Sequence, residues 1–133
     1  MEEEFKVIIA GTRTFNDYKL LNDTCLAMLS QKMRTHNVSI LCGGAKGADL
    51  LGYQWAQENR LPVHDFPADW RRHGRSAGHL RNAQMVEVAD AAIFFWDGVS
   101  TGTAGCIELA RFKGIRIKIV YYNDKETTQA GVR

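Results

Sequence analysis

The sequence has no excess of charge of either sign: 17 Lys and Arg stand against 15 Asp and Glu, a formal +2 spread over 133 residues. So weak a field excludes nucleic-acid binding through overall charge and leaves only a local basic patch, because a strong electrostatic contribution needs several phosphate contacts. Long apolar runs are also missing. The apolar stretches are strand-length, well short of the ~20 residues of a membrane-spanning helix, so no membrane partner is expected. The start, Met1-Glu2-Glu3-Glu4, is acidic and enters Phe5-Lys6-Val7-Ile8-Ile9 without the basic and long apolar segments of a signal peptide. The three cysteines, Cys25, Cys42 and Cys106, are odd in number, widely spaced and set in apolar segments. They form neither a disulfide framework nor a zinc spacing and read as buried thiols of a reducing compartment, so a cytoplasmic location is expected. His36, His64, His73 and His79 follow no ligand spacing, and no metal is assigned. Internal repeats, low-complexity segments and linkers are absent as well, so one domain is expected over 1–133, with its core at about 5–122.

What is present is an alternation of apolar runs with helical periodicity. Residues 5–10 read as a first strand, and Asn16 or Asp17 is placed to cap a helix over 18–32 with Leu21, Cys25, Met28 and Leu29 on its inner stripe. Residues 38–42 make a second strand, followed by a helix over 48–59 that packs Leu51 and Trp55 inward. A short strand at 62–66 belongs near a sheet edge. The polar stretch 67–78 is too long and too basic for a simple turn. A helix from 77 or 78 to 89 carries Leu80, Met85 and Val88, and 91–96 is a nearly all-apolar strand, as expected where helices cover both faces. Residues 103–113 form the last helix, Gly114 ends it, 115–121 make the fifth strand, and 123–133 are polar and expected to fray. Strands separated by helices imply right-handed crossovers, hence an α/β three-layer sandwich with a five-stranded, mainly parallel sheet. Its crevice is expected beyond the carboxyl ends of the strands, where strand order reverses.

Three glycine-rich loops follow predicted strands and so emerge at that edge: Gly11-Thr12-Arg13, Gly43-Gly44-Ala45-Lys46-Gly47-Ala48-Asp49, and Asp97-Gly98-Val99-Ser100-Thr101-Gly102-Thr103. Glycine lets the backbone approach an anion closely, and the helix start that follows offers unpaired N–H groups and a favourable dipole. Thr101 and Thr103 add hydroxyl donors, and Arg13 or Lys46 adds charge, which points to a phosphate. The competing reading is that the glycines serve only tight strand-to-helix geometry. Neither G-x-G-x-x-G nor a Gly-Lys-Ser/Thr phosphate loop occurs, which argues against dinucleotide redox chemistry and P-loop hydrolysis; no cofactor is assigned. A second unusual stretch, Pro67-Ala68-Asp69-Trp70-Arg71-Arg72-His73-Gly74-Arg75, sets an aromatic plane among cationic side chains. Trp70 is suited to stack on a base, and Arg71, Arg75 or Arg81 to fork onto phosphate or carboxylate. The same stretch also reads as a solvated basic face, or as a contact for single-stranded nucleic acid.

Five ordered motifs carry a resemblance. Gly11-Thr12-Arg13-x-Phe15, Gly43-Gly44-Ala45-x-Gly47-Ala48-Asp49, Pro67-Ala68-Asp69-Trp70, Gly78-x-x-Arg81-Asn82-x-x-Met85 and Phe95-Trp96-Asp97-Gly98-x-Ser100-x-Gly102-Thr103 together resemble the YspA-like branch of the SLOG superfamily over roughly residues 6–121. The resemblance implies a Rossmann-like fold and binding of nucleotides or nucleotide-derived molecules. Relatives include lonely-guy-type phosphoribohydrolases, which release a base from a nucleoside monophosphate, and a DNA-processing family that binds single strands; dimers are common. The hydrolase pattern Arg-Lys-x-x-Met resembles Arg81-Asn82-Ala83-Gln84-Met85, with the lysine replaced. At the position of the hydrolases' catalytic glutamate stands Cys106, and Glu108 lies about 200° further round the helix.

The leading expectation is therefore a domain that binds or senses a nucleotide-like ligand. Gly11, Thr12 and Arg13 are expected on one side of it, Gly43, Gly44 and Gly47 around its ribose-phosphate, Gly102 and Thr103 at the phosphate, Arg81 and Asn82 beside it, and Trp70 at the base. Asp49 is either a ligand contact or an early-helix carboxylate that satisfies loop N–H groups. The alternatives are N-glycosidic hydrolysis with Arg81, Asp97 and Glu108 as catalytic candidates, and a single-stranded nucleic-acid module built on Trp70, Arg71, Arg72 and Arg75. A homodimer is the expected assembly by analogy.

Overall fold

The computed structural model describes residues 3–122. Its strands are β1 (Glu4–Gly11), β2 (Asn37–Cys42), β3 (Val63–Asp65), β4 (Ala91–Trp96) and β5 (Arg116–Tyr121), and its helices are α1 (Tyr18–Thr35), α2 (Ala48–Glu58), α3 (Trp70–His73), α4 (Ala77–Val88) and α5 (Thr101–Lys113). All strand pairings are parallel and the order is β3-β2-β1-β4-β5, a Rossmann-like α/β arrangement.

Successive residues of a strand face opposite sides of the sheet, and β4 is apolar throughout, as is β1 from Val7 to Ala10. Val7 and Ile9 of β1, with Ile93 and Phe95 of β4, pack on Leu21, Cys25 and Leu29 of α1 and Trp55 of α2. Ile8 and Ala10, with Ala92 and Phe94, pack on Met85 and Val86 of α4 and on Cys106, Ile107 and Ala110 of α5. Burial of each large side chain contributes about 1.5–3 kcal/mol, so the two faces hold the three layers together. Asp17 caps α1 by accepting the Leu20 N–H at 3.0 Å. No helix of the described residues is long and apolar enough to cross a membrane.

Several expectations change in detail. Met28, expected on the inner stripe of α1, is exposed at 47%, and Leu80 and Val88 of α4 are exposed at 39% and 44%. The buried stripe of α4 is Ala77, Arg81, Met85 and Val86; consecutive residues lie about 100° apart on a helix, so turning Arg81 inward turns Leu80 out. The stretch read as an irregular loop contains α3 and a 3₁₀ turn at Gly74–Ser76, started by the Asp69 carboxylate accepting the Arg72 N–H at 3.1 Å. α5 begins at Thr101, two residues early, which puts Gly102 and Thr103 inside its first turn. The expected polar tail, 123–133, lies outside the described residues. β3 occupies the sheet edge, as its composition suggested.

Candidate functional site

Strand order reverses between β1 and β4, because the chain steps outward to β3 before returning to start β4 on the other side of β1. Beyond the carboxyl ends of these two strands lies a cleft of about 690 Å³, the place where open α/β sheets accept ligands. The turn after β1 supplies Gly11, Thr12, Arg13 and Thr14, and the α2 junction supplies Ala45 and Asp49. Trp70, Arg75, Gly78, His79, Arg81 and Asn82 come from α3, the 3₁₀ turn and α4. Asp97, Ser100, Thr101, Gly102, Thr103, Gly105 and Cys106 come from the β4 turn and α5.

The two central turns are bound to each other. Buried Thr12 gives its N–H to the Phe95 carbonyl at 2.9 Å, and its hydroxyl accepts the Asp97 N–H at 3.1 Å. The Asp97 carboxylate accepts the Val99 and Ser100 N–H groups at 2.9 and 2.8 Å and the Ser100 hydroxyl at 3.1 Å. Partial burial pushes the Asp97 carboxyl up, but these donors, together with Thr12, outweigh it and hold the group below its ordinary value. The Trp96 indole N–H closes the turn on the Ser100 carbonyl at 3.0 Å. α5 therefore starts at a fixed place, yet Ser100 provides no side-chain cap. Ala104 donates to the Ser100 carbonyl at 3.1 Å, while the N–H groups of Thr101, Gly102 and Thr103 are those that a helix start leaves without an intrahelical acceptor. They lie at the cleft.

The floor holds two buried charged residues, Asp49 at 5% exposure and Arg81 at 9%. Arg81 donates Nη1 to the Gly43 carbonyl and Nε to Asn82 Oδ1, the latter at 2.8 Å. Asp49 Oδ2 accepts the Ala45 N–H at 3.2 Å. Burial pushes the Asp49 carboxyl up to about 6, against the pull of the Ala45 N–H, the Arg81 charge, the Gly11 N–H and the Arg13 charge. Gly43 sits against this pair: a Cβ there would lie 2.7 Å from Asp49 Oδ2 and 2.8 Å from Arg81 Nη1. Gly47 has φ +76°, and its Cβ would lie 2.3 Å from the Thr12 carbonyl oxygen. These two glycines permit the approach of other protein groups.

The structure thus brings together Gly11, Thr12, Arg13, Asp49, Trp70, Arg81, Asn82, Asp97, Gly102 and Thr103. Gly43, Gly44 and Gly47 do not line the cleft, and the N–H groups of Ala45 and Ala48 are spent on Asp49 and on the Thr12 carbonyl. Glu108 points away from it, exposed and 3.8 Å from Arg111. Lys46, Arg71 and Arg72 are exposed and outside the lining, whereas Arg75 joins it. Cys106 lines the cleft with its thiol pushed up to about 12 by burial. Sequence reasoning did not single out Ala10, Thr14, His79 and Gly105, which also line the cleft; of these only His79, two residues before Arg81 at the start of α4, had a positional signal.

Among known proteins, the chain is similar to the Gene 61 protein of Mycobacterium phage D29, 32% identical over 126 residues that cover 90% of this chain and 98% of that protein. No solved structure matches it significantly. The sequence profile of the YspA, cpYpsA-related SLOG family matches residues 5–73, from β1 through α3. The motif order, the Rossmann-like sheet and this match agree: the chain belongs to the YspA, cpYpsA-related SLOG family.

Proposed function

We propose that the cleft binds a phosphate-bearing, nucleotide-like small molecule, and that binding rather than turnover is its role. Family membership suggests a nucleotide-related function in general. The observation that carries the finer reading is the uncapped start of α5, which faces the same cleft as the guanidinium groups of Arg13, Arg75 and Arg81 and the indole of Trp70. Helix N–H groups and the dipole favour an oxyanion. Arg81 is held in place by Gly43 and Asn82, which leaves Nη2 as its donor to the ligand. Trp70, 52% exposed at the mouth, offers a stacking face for a base. Hydrolysis finds less support, since the Asp97 carboxylate is occupied by its own turn, Glu108 faces outward, and Cys106 stands where the related hydrolases carry glutamate.

Native mass spectrometry of freshly purified protein, followed by denaturation and identification of released small molecules, tests the proposal. A retained nucleotide derivative, or a mass increment on adding nucleoside monophosphates, is the expected result. A folded protein that retains none and gains none would overturn it.

A further inference from the structure

Four glycines of the described residues stand inside α-helices: Gly52 of α2, Gly78 of α4, and Gly102 and Gly105 of α5. Glycine is the poorest helix former after proline, because its backbone loses the most freedom on folding, so each needs a reason. At Gly52 the reason is packing, since a Cβ would lie 2.6 Å from Ile9 Cγ2. The other three have no such reason. None has a positive φ. A Cβ at Gly102 would meet nothing within 4 Å, one at Gly105 would meet only His79 Nδ1 at 4.0 Å, and one at Gly78 would meet Trp70 Cη2 at 3.5 Å and Arg81 Nη2 at 3.7 Å. These are ordinary contacts or open space, so alanine fits at each position and favours the helix. What the three share is the cleft: all of them line it, and Gly52 does not.

Buried polar groups aimed at the same wall point to an occupant. Arg81 is 9% exposed, and with Nη1 on Gly43 and Nε on Asn82 its open donor is Nη2, the atom beside the bare Cβ position of Gly78. Thr103, 8% exposed, lines the cleft from the same turn as Gly102, and among the described residues none takes its hydroxyl in a hydrogen bond. Buried donors are normally satisfied, and here the space that would satisfy them is the space the glycines leave clear. Gly102 belongs to the phosphate reading above. We propose, resting on that reading, that Gly78 and Gly105 are specificity residues of the site: they keep the starts of α4 and α5 free of side chains so that the sugar and planar base of a nucleotide pack against helix backbone, beside Trp70 and His79. A methyl group at Gly78 would fill the gap between the Trp70 ring and the Arg81 guanidinium, and one at Gly105 would fill the gap beside His79.

The test is calorimetric titration of the full chain, and of Gly78→Ala and Gly105→Ala, with adenosine, guanosine, cytidine and uridine 5-monophosphates, beside thermal melts of the free proteins. Each variant is expected to bind the nucleotide that wild type prefers about 5- to 100-fold more weakly, the range for a methyl group that overpacks a contact. Melting temperatures should be held or raised, by up to roughly 4 °C, which separates lost binding from lost folding. Unchanged affinity in either variant, or a lowered melting temperature in either, overturns the inference and leaves the phosphate site standing. Absence of binding of all four nucleotides to the wild type overturns both.

Discussion

Replacing Asp49 by Asn changes the stability of the fold in a way whose sign and size follow from burial. Burial raises the Asp49 carboxyl from 3.8 to about 6 in the folded chain, despite the N–H groups and arginines around it. Unfolding returns it to water and to its ordinary value. Between those two values the folded form binds more protons than the unfolded form, so this group's contribution makes stability fall as pH rises through the window, and above about pH 6 the full cost of a buried carboxylate is present. A shift of this size corresponds to about 3 kcal/mol, a large share of the ~5–15 kcal/mol that separates folded from unfolded domains. Glu4 and Asp97, held below their ordinary values, act with the opposite sign, losing stability as pH falls, but they are common to both proteins. The difference between wild type and Asp49→Asn therefore isolates Asp49. Urea denaturation at a series of pH values, with m unchanged, measures it. Relative to the variant, wild type should lose about 3 kcal/mol between about pH 4 and pH 6 and show no further change above. A difference profile that is flat across the window, or that slopes the other way, refutes the burial argument.

Gly44→Ala and Gly47→Ala should separate strain from collision. Both positions have positive φ, +79° and +76°, but only at Gly47 does the new methyl meet backbone, with nothing within 4 Å at Gly44. Each carries about 1–3 kcal/mol of strain, and thermal denaturation should show the larger loss for Gly47→Ala. Trp70→Ala should leave melting nearly unchanged, since the ring is half-exposed, while weakening nucleoside monophosphate binding by the ~1–3 kcal/mol of a stacked base, read by calorimetry. Thr101→Asp should stabilise α5 by about 0.3–1 kcal/mol in denaturant melts and at the same time suppress phosphate binding, because the new carboxylate takes the anion's place at the helix start. All three cysteines are buried, and burial pushes Cys25 and Cys106 up to about 12. A chromogenic thiol reagent should leave the folded protein unlabelled and react fully in denaturant.

The architecture was legible because its determinants are local. Apolar runs mark β1 and β4, the Asp17 side chain starts α1, and Gly114, in the left-handed region at φ +86°, stops α5. The elements that escaped were short or ambiguous. α3 has four residues, too few for any period to show. In α4 two apolar stripes one residue apart compete, and the choice went to the one containing a buried arginine. That choice is tertiary: Arg81 turns inward to reach the Gly43 carbonyl, 38 residues away in sequence. The site divides in the same way. Gly11 and Thr12 at the end of β1, and Thr103 in the first turn of α5, line the cleft whose position the topology predicts. At Gly43 and Gly47 sequence does not say what fills the space that a missing Cβ leaves; here it is Asp49, Arg81 and the backbone of the β1 turn, while at Gly44 nothing lies within 4 Å.

The central claim is that the first turn of α5 receives an oxyanion. Amide NMR of uniformly labelled protein, titrated with a ribonucleoside monophosphate, measures this at the atoms concerned. The account predicts saturable shifts largest at the Thr101, Gly102 and Thr103 amides, with smaller ones at Arg81 and Trp70. Saturable binding that leaves those three amides unmoved would contradict it.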